Sequence, residues 1–213
     1  MAVHGILFDL DGVLVFTDKY HYLAWKELAD SLGIFFDEQI NDRLRGVSRM
    51  ESLEIILENA GESTFTPEEK VQLAERKNAT YRRLLEKMQP SDVDEEVRRT
   101  LTELHNRGYL LALGSSSKNA RYIMERTALM DYFDGIVDGT NITKSKPDPE
   151  VFVKAAGRLN LKPGECAVVE DADAGIRAAK DGGMLAVAIG ENVTENATDY
   201  RISGISQLLK IFL

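Results

Sequence analysis

The sequence predicts an α/β fold: a parallel-sheet core with an all-helical domain inserted after its first strand. Three observations carry this. From residue 91 onward, short apolar runs alternate with helical patterns, as in βα units joined by right-handed crossovers. The first apolar run ends abruptly in acid and is followed only by helical patterning as far as Met88. The chain has 213 residues, 44% hydrophobic and 29% charged, enough for one or two domains with a sizeable core.

Each element follows from local signals. Residues 3–8 (Val-His-Gly-Ile-Leu-Phe) read as a buried parallel strand. His21, Trp25, Leu28 and Leu32 share one helical face, and Gly33 stops that helix. Ser48 with Glu51, and Thr66 with Glu69, are capping boxes, the second with Pro67 at the first helical position. The helix after Thr66 is expected to carry Val71, Ala74, Tyr81, Leu85 and Met88 on one stripe. Beyond Pro90, helices are expected over residues 95–107, from 119, over 149–159 and over 174–181. Strands are expected over residues 109–113, 135–137, 166–169 and 185–189. The core therefore comprises residues 1–15 and 91–213, and the helical insertion residues 16–90.

Composition excludes several classes. Cys166 is the single cysteine, so an internal disulfide framework and a cysteine metal cluster are ruled out. The apolar runs are far shorter than the ~18 residues of a membrane helix, and no membrane association is expected. Met1 to Gly5 offers no basic segment or cleavage site, so a cytoplasmic protein is expected. The net charge of −9 argues against nucleic acid as a partner. It also means that an anionic ligand needs locally placed cations.

In an open α/β sheet, ligands bind beyond the carboxyl ends of the strands. Three polar clusters fall there: Asp9-Leu10-Asp11-Gly12, Ser115-Ser116-Ser117-Lys118, and Glu170-Asp171. Lys146-Pro147 lies in a loop between the last two. Singly, each has a plain structural reading as a turn, cap or solvated surface. Together they suit phosphoryl transfer. Asp9 serves as nucleophile and Asp11 as general acid and base. Asp9, Glu170 and Asp171 suit a hard Mg²⁺ ion, while Ser115 and Lys146 hold phosphoryl oxygens.

Phe8-Asp9-Leu10-Asp11-Gly12-Val13-Leu14, with Ser115, Lys146 and Glu170-Asp171 in that order, resembles the four motifs of the haloacid dehalogenase superfamily of phosphotransferases. The resemblance implies a Rossmann-like core with a helical cap. It also implies Mg²⁺ bound by Asp9, the Asp11 backbone carbonyl and Asp171, with Glu170 assisting. Further segments are similar to substrate-binding segments of sugar-phosphate mutases in that superfamily. These are Thr17 to Lys26 with His21 and Trp25; Arg45-Gly46-Val47-Ser48-Arg49 with Ser52; Lys77-Asn78; and Ser116-Ser117-Lys118-Asn119.

The implied reaction interconverts β-D-glucose 1-phosphate and glucose 6-phosphate through β-glucose 1,6-bisphosphate. Thr17 and His21 then join Asp9, Asp11, Ser115 and Lys146 as expected catalytic residues. Arg49 grips the non-reacting phosphate, and His21 hydrogen-bonds Lys77 and couples cap closure to Asp11. The expected partner is a small phosphosugar, and a monomer is the default. The alternatives are a sugar-phosphate phosphatase of the same superfamily and a catalytically dead phosphosugar sensor. Two positions depart from the pattern: Phe16, where relatives commonly carry Asp, and Ser116, where alanine is frequent.

Overall fold

Gly5–Phe8 forms β1, at the centre of a parallel sheet in the computed structural model, which describes residues 2–44, 47–61 and 64–213. The further strands are β2 (Leu110–Gly114), β3 (Gly135–Val137), β4 (Cys166–Glu170), β5 (Leu185–Ile189) and β6 (Tyr200–Ile202). The order is β3-β2-β1-β4-β5-β6, and every pair is parallel. β1 and β4 are buried along their whole length, because helices cover both faces of such a sheet. Their continuous apolar composition has that cause.

The chain divides into two compact units, Met1–Phe16 with Gln89–Leu213 and Thr17–Met88. The second unit is helical: α1 (Asp18–Ser31), α2 (Glu38–Asp42), α3 (Arg49–Leu57) and α4 (Pro67–Leu85). Both expected capping boxes are present. Ser48 Oγ accepts from the Glu51 N–H and Thr66 Oγ1 from the Glu69 N–H, and each Glu carboxylate returns the bond. Trp25, Leu28, Phe36, Leu53, Ile56 and Ala74 pack the core of this unit. One expectation is corrected here. The buried residues of α4 are Ala74, Lys77, Tyr81 and Leu85, whereas Val71 is exposed and Met88 is buried beyond the helix end. A lysine thus occupies a place on the buried face.

The first unit adds α5 (Glu95–Asn106), α6 (Ala120–Arg126), α7 (Glu150–Arg158), α8 (Asp173–Asp181) and α9 (Leu208–Ile211). Its core gathers Leu7, Ala112, Val137, Phe152, Val168, Ile176 and Ala186 from strands and flanking helices. Several strand boundaries differ from expectation by a residue or two. β2 starts at Leu110 rather than residue 109, and β4 runs to Glu170, which pairs with Ala188. β1 starts at Gly5 rather than residue 3, and β2 runs one residue further, to Gly114, because Gly114 pairs with Val137. β6 was not legible: an exposed three-residue edge strand containing Arg201 has no apolar run to betray it. Among the described residues, no helix is long and apolar enough to cross a membrane.

Candidate active site

The parallel topology puts the carboxyl ends of β1, β2 and β4 side by side, since Phe8 registers with both Leu113 and Val169. Asp9, Ser115 and Asp171 therefore leave adjacent strands. A tight turn follows β1: the Gly12 N–H donates to the Val15 carbonyl at 2.8 Å, and the Leu14 and Val15 N–H groups donate to Leu10. Gly12 has φ +80°, and a Cβ there would lie 2.0 Å from Asp171 Oδ2. Only glycine lets this turn pass so close to that carboxylate.

Lys146 unites the centre. Its Nζ donates to Asp9 Oδ1 at 2.5 Å and to Glu170 Oε1 at 2.6 Å, and lies 4.6 Å from the centroid of the Phe152 ring. The Lys146-Pro147 peptide is cis. Burial works against the charge of Lys146, but the carboxylates of Asp9 and Glu170 outweigh it and hold the ammonium protonated. The second oxygen of Glu170 accepts the N–H groups of Asp171 (2.9 Å) and Ala172 (3.0 Å), so both its oxygens are already engaged. A further glycine makes this possible: a Cβ on Gly175 would lie 1.9 Å from Glu170 Cδ.

Ligand atoms of Asp9, Glu170 and Asp171 all lie within 4.8 Å of one another. Burial, reinforced by Asp9, pushes the carboxyls of Glu170 and Asp171 up to about 7, with Lys146 pulling the other way. Three carboxylates facing one ammonium leave negative charge uncompensated in a poorly solvated place. Hard oxygen donors of this charge fit a divalent cation such as Mg²⁺. Asp171 and Asp9 are better placed to ligate it than Glu170, whose oxygens hold protein groups.

The β2 loop presents the other expected group. The Ser115 N–H bonds the Val137 carbonyl at 3.0 Å, and Ser115 Oγ accepts from the Ser117 N–H at 3.2 Å. Ser117 Oγ in turn accepts from the Asn119 N–H at 3.2 Å. Lys118 is exposed and Asn119 buried. Ser116 Oγ is buried with no hydrogen-bond partner among the described residues. Gly139 backs this loop, with its N–H on the Ser117 carbonyl at 3.1 Å; a Cβ there would meet the Ser116 carbonyl oxygen at 2.3 Å. Gly139 and Gly175 were not singled out from the sequence. For Gly175 the one available signal was a glycine near the start of a helix, where it costs stability without a packing reason; Gly139, in a turn, gave none.

In the helical unit, a second set of expected residues comes together. Lys77 Nζ lies 2.9 Å from His21 Nδ1, and 4.6 and 4.8 Å from the ring centroids of Trp25 and Tyr81. His21 stacks on Tyr81 at 4.1 Å. Burial, with Lys77 and Arg49 nearby, lowers the His21 pKa well below its usual value, so the imidazole is neutral and accepts from Lys77. Arg49 donates to Asn78 Oδ1 at 3.0 Å, and burial lowers its pKa too. Thr17 is buried, with Tyr81 Oη donating to its Oγ1 at 3.0 Å. Ser52 is buried, Val47 is exposed, and Ser48 is spent on its cap. Arg45 and Gly46 lie outside the described residues. Phe16 is 70% exposed.

The sequence matches the family profile of haloacid dehalogenase-like hydrolases over residues 3–183. It is 44% identical over 205 residues to the β-phosphoglucomutase of Bacillus subtilis (strain 168), covering 96% of this chain and 91% of that protein. It is 32% identical over 185 residues to a phosphorylated carbohydrates phosphatase of Thermotoga maritima, covering 85% of this chain and 82% of that one. Among solved structures, the β-phosphoglucomutase of Clostridium difficile superimposes with a TM-score of 0.86 at 36% identity, covering 97% of this chain and 93% of that one.

Proposed function

The chain belongs to the haloacid dehalogenase-like hydrolase family, and on that premise we propose that it is a β-phosphoglucomutase, interconverting β-D-glucose 1-phosphate and glucose 6-phosphate. In this reading residues 1–15 and 91–213 are the phosphoryl-transfer core and residues 16–90 the specificity cap. Asp9, phosphorylated on its carboxylate, passes the phosphoryl group to the sugar 6-hydroxyl, and Asp11 takes the hydroxyl proton. The resulting β-glucose 1,6-bisphosphate turns over and returns its other phosphoryl group to Asp9. Asp11 then gives the proton to the departing C1 oxygen. The P–O bond made on Asp9 replaces the P–O bond broken at C1, so the cycle is balanced.

Lys146 holds a phosphoryl oxygen while neutralising Asp9, and the Ser115 hydroxyl, already oriented by the Ser117 N–H, donates to another. Asp9 and Asp171, with the Asp11 carbonyl and Glu170 assisting as the family resemblance implies, would hold Mg²⁺, which would neutralise charge between the Asp9 carboxylate and the phosphoryl group. The observation that carries a mutase over a phosphatase is the cation pair of the helical unit, buried Lys77 on His21 and half-buried Arg49 on Asn78. A phosphatase needs one phosphate site. A bisphosphate intermediate needs two, and cations with amide and imidazole support suit the second. Trp25 and Ser52 of the helical unit and, in the core unit, Ser116, Ser117, Lys118 and Asn119 are the further candidates for sugar-phosphate contacts by the family resemblance. The similarity to a carbohydrate phosphatase keeps one rival, in which water takes the phosphoryl group from Asp9.

A coupled assay decides between them. With β-glucose 1-phosphate, Mg²⁺ and a bisphosphate primer, glucose 6-phosphate forms and is read through its dehydrogenase. Arg49→Ala loses roughly tenfold or more of that turnover. Phosphate release without glucose 6-phosphate establishes the phosphatase instead.

A further inference from the structure

Lys146 reaches Asp9 from a loop, residues 138–149, that has little regular structure. A lysine ammonium on a four-carbon stem is mobile, and its stem starts from a backbone that is itself solvent-exposed on either side: Ser145 and Pro147 are both exposed. Something must fix that backbone if the ammonium is to meet two carboxylates at 2.5 and 2.6 Å.

Glu150, the first residue of α7, takes hold of it. Its Oε2 accepts the Lys144 N–H at 2.7 Å, the Thr143 N–H at 2.9 Å and the Thr143 hydroxyl at 3.0 Å. Its Oε1 accepts from Lys154 Nζ, one turn further along α7, at 2.5 Å. Lys154 Nζ also donates to the Asn141 carbonyl at 2.7 Å, tying the same loop to the same helix. The Glu150 N–H is held by Asp148 Oδ1 at 3.0 Å. These bonds to Lys154, Lys144 and Thr143 keep the Glu150 carboxyl ionised, down to about 2. Every bond the Glu150 carboxylate accepts comes from the Thr143 and Lys144 N–H groups or the Thr143 hydroxyl, within three residues of Lys146, or from Lys154, which braces it.

We propose that Glu150 is a positioning residue for Lys146: its carboxylate clamps the Thr143–Lys144 backbone to α7 and thereby delivers the Lys146 ammonium to Asp9. α7 is a fixed reference, because Val151, Phe152, Ala155 and Ala156 are fully buried in the sheet core. Phe152 is also the ring that lies against the Lys146 ammonium, so helix and clamp place the same group from two sides. The inference rests on the reading of Lys146 as the cation that supports chemistry at Asp9.

The test is a double-mutant cycle in the full chain, read both by mutase turnover and by hydrolysis of an activated aryl phosphate. The second readout tests Glu150 whichever acceptor the enzyme uses. Glu150→Ala lowers kcat about tenfold or more, with KM changed far less. Glu150→Gln, which keeps a carbonyl acceptor, recovers much of the loss. In a Lys146→Ala background, Glu150→Ala adds less than about a twofold further loss, because the group it positions is gone. Lys154→Met, which leaves the Oε2 bonds in place, gives a smaller fall in kcat and serves should Glu150→Ala fold poorly. Multiplicative losses at Glu150 and Lys146 overturn the proposal and leave the role of Lys146 standing. Wild-type kcat in Glu150→Ala overturns it as well. Full activity of Lys146→Ala removes that role and the proposal with it.

Discussion

A glycine near the start of a helix ordinarily costs about 0.5–1 kcal/mol against alanine. At position 175 that cost is accepted because the Glu170 side chain fills the space a methyl would take, with its Oε1 1.9 Å from where that methyl would sit. Glu170 in turn holds Lys146 and the Asp171 and Ala172 N–H groups. Gly175→Ala therefore gains helix propensity yet displaces Glu170. The expected outcome is a kcat reduced by about tenfold or more together with a lowered Tm. A raised Tm at unchanged kcat would show that the close approach is idle. At the same scale, Asp9, Asp11 and the Glu170-Asp171 pair stand out in the sequence because carboxylates follow apolar runs at strand ends, and Lys146 because it lies in a loop between two of the polar clusters. Gly175, Gly139 and Glu150 do not, since their partners are remote atoms or backbone groups that no local pattern announces.

At the scale of elements, the helical unit is built from strong local signals. The capping boxes at Ser48 and Thr66 form as their sequences dictate, satisfying N–H groups that no helical carbonyl can reach. Thr66→Ala is expected to destabilise the protein by about 1 kcal/mol, seen as a lower urea midpoint at unchanged slope. No change in midpoint would mean that water caps α4 equally well. The stripe on α4 was misread at its ends, and the reason is instructive. Val71 was assigned to it by hydrophobicity and is exposed, while Lys77 lies buried against His21, Trp25 and Tyr81. A lysine with imidazole and ring faces around it can hold an inward position that a hydrophobic scale assigns to apolar residues. β6 was missed because its pairing with β5 comes from backbone bonds at an edge, where side chains need not be apolar.

For the molecule as a whole, the buried His21 links stability to pH. Its native pKa is lowered by burial, Lys77 and Arg49, whereas the unfolded chain takes up a proton near the ordinary value of 6.5. Below that pH the unfolded state binds more protons, so stability falls as pH drops, by at most about 1.4 kcal/mol per pH unit. Above it, the contribution is flat. The Glu170 and Asp171 carboxyls, raised to about 7, act in the opposite sense over the same range, so the His21 contribution is read as a difference. The urea midpoint of wild type relative to His21→Gln should fall on going from about pH 7.5 to about pH 5.5. An equal shift in both proteins would assign any acid loss to other groups. The net charge of −9 also takes on a more definite meaning, since three of the acids are the clustered carboxylates of the core.

The sequence by itself determined the α/β class, the helical character of the segment after the first strand, the cap sites and which side chains are candidates for phosphoryl chemistry. These follow from periodicity, capping and the placing of acids after apolar runs, all of which act over a few neighbouring residues. Tertiary structure alone decided that Lys146 bonds both Asp9 and Glu170, that Glu170 spends its second oxygen on backbone, and that Gly12 and Gly175 exist to let carboxylates approach. Those contacts join atoms more than a hundred residues apart in some cases, as Asp9 and Lys146 are. The parallel register that brings strand ends together is a property of the packed sheet, and no short stretch of chain contains it.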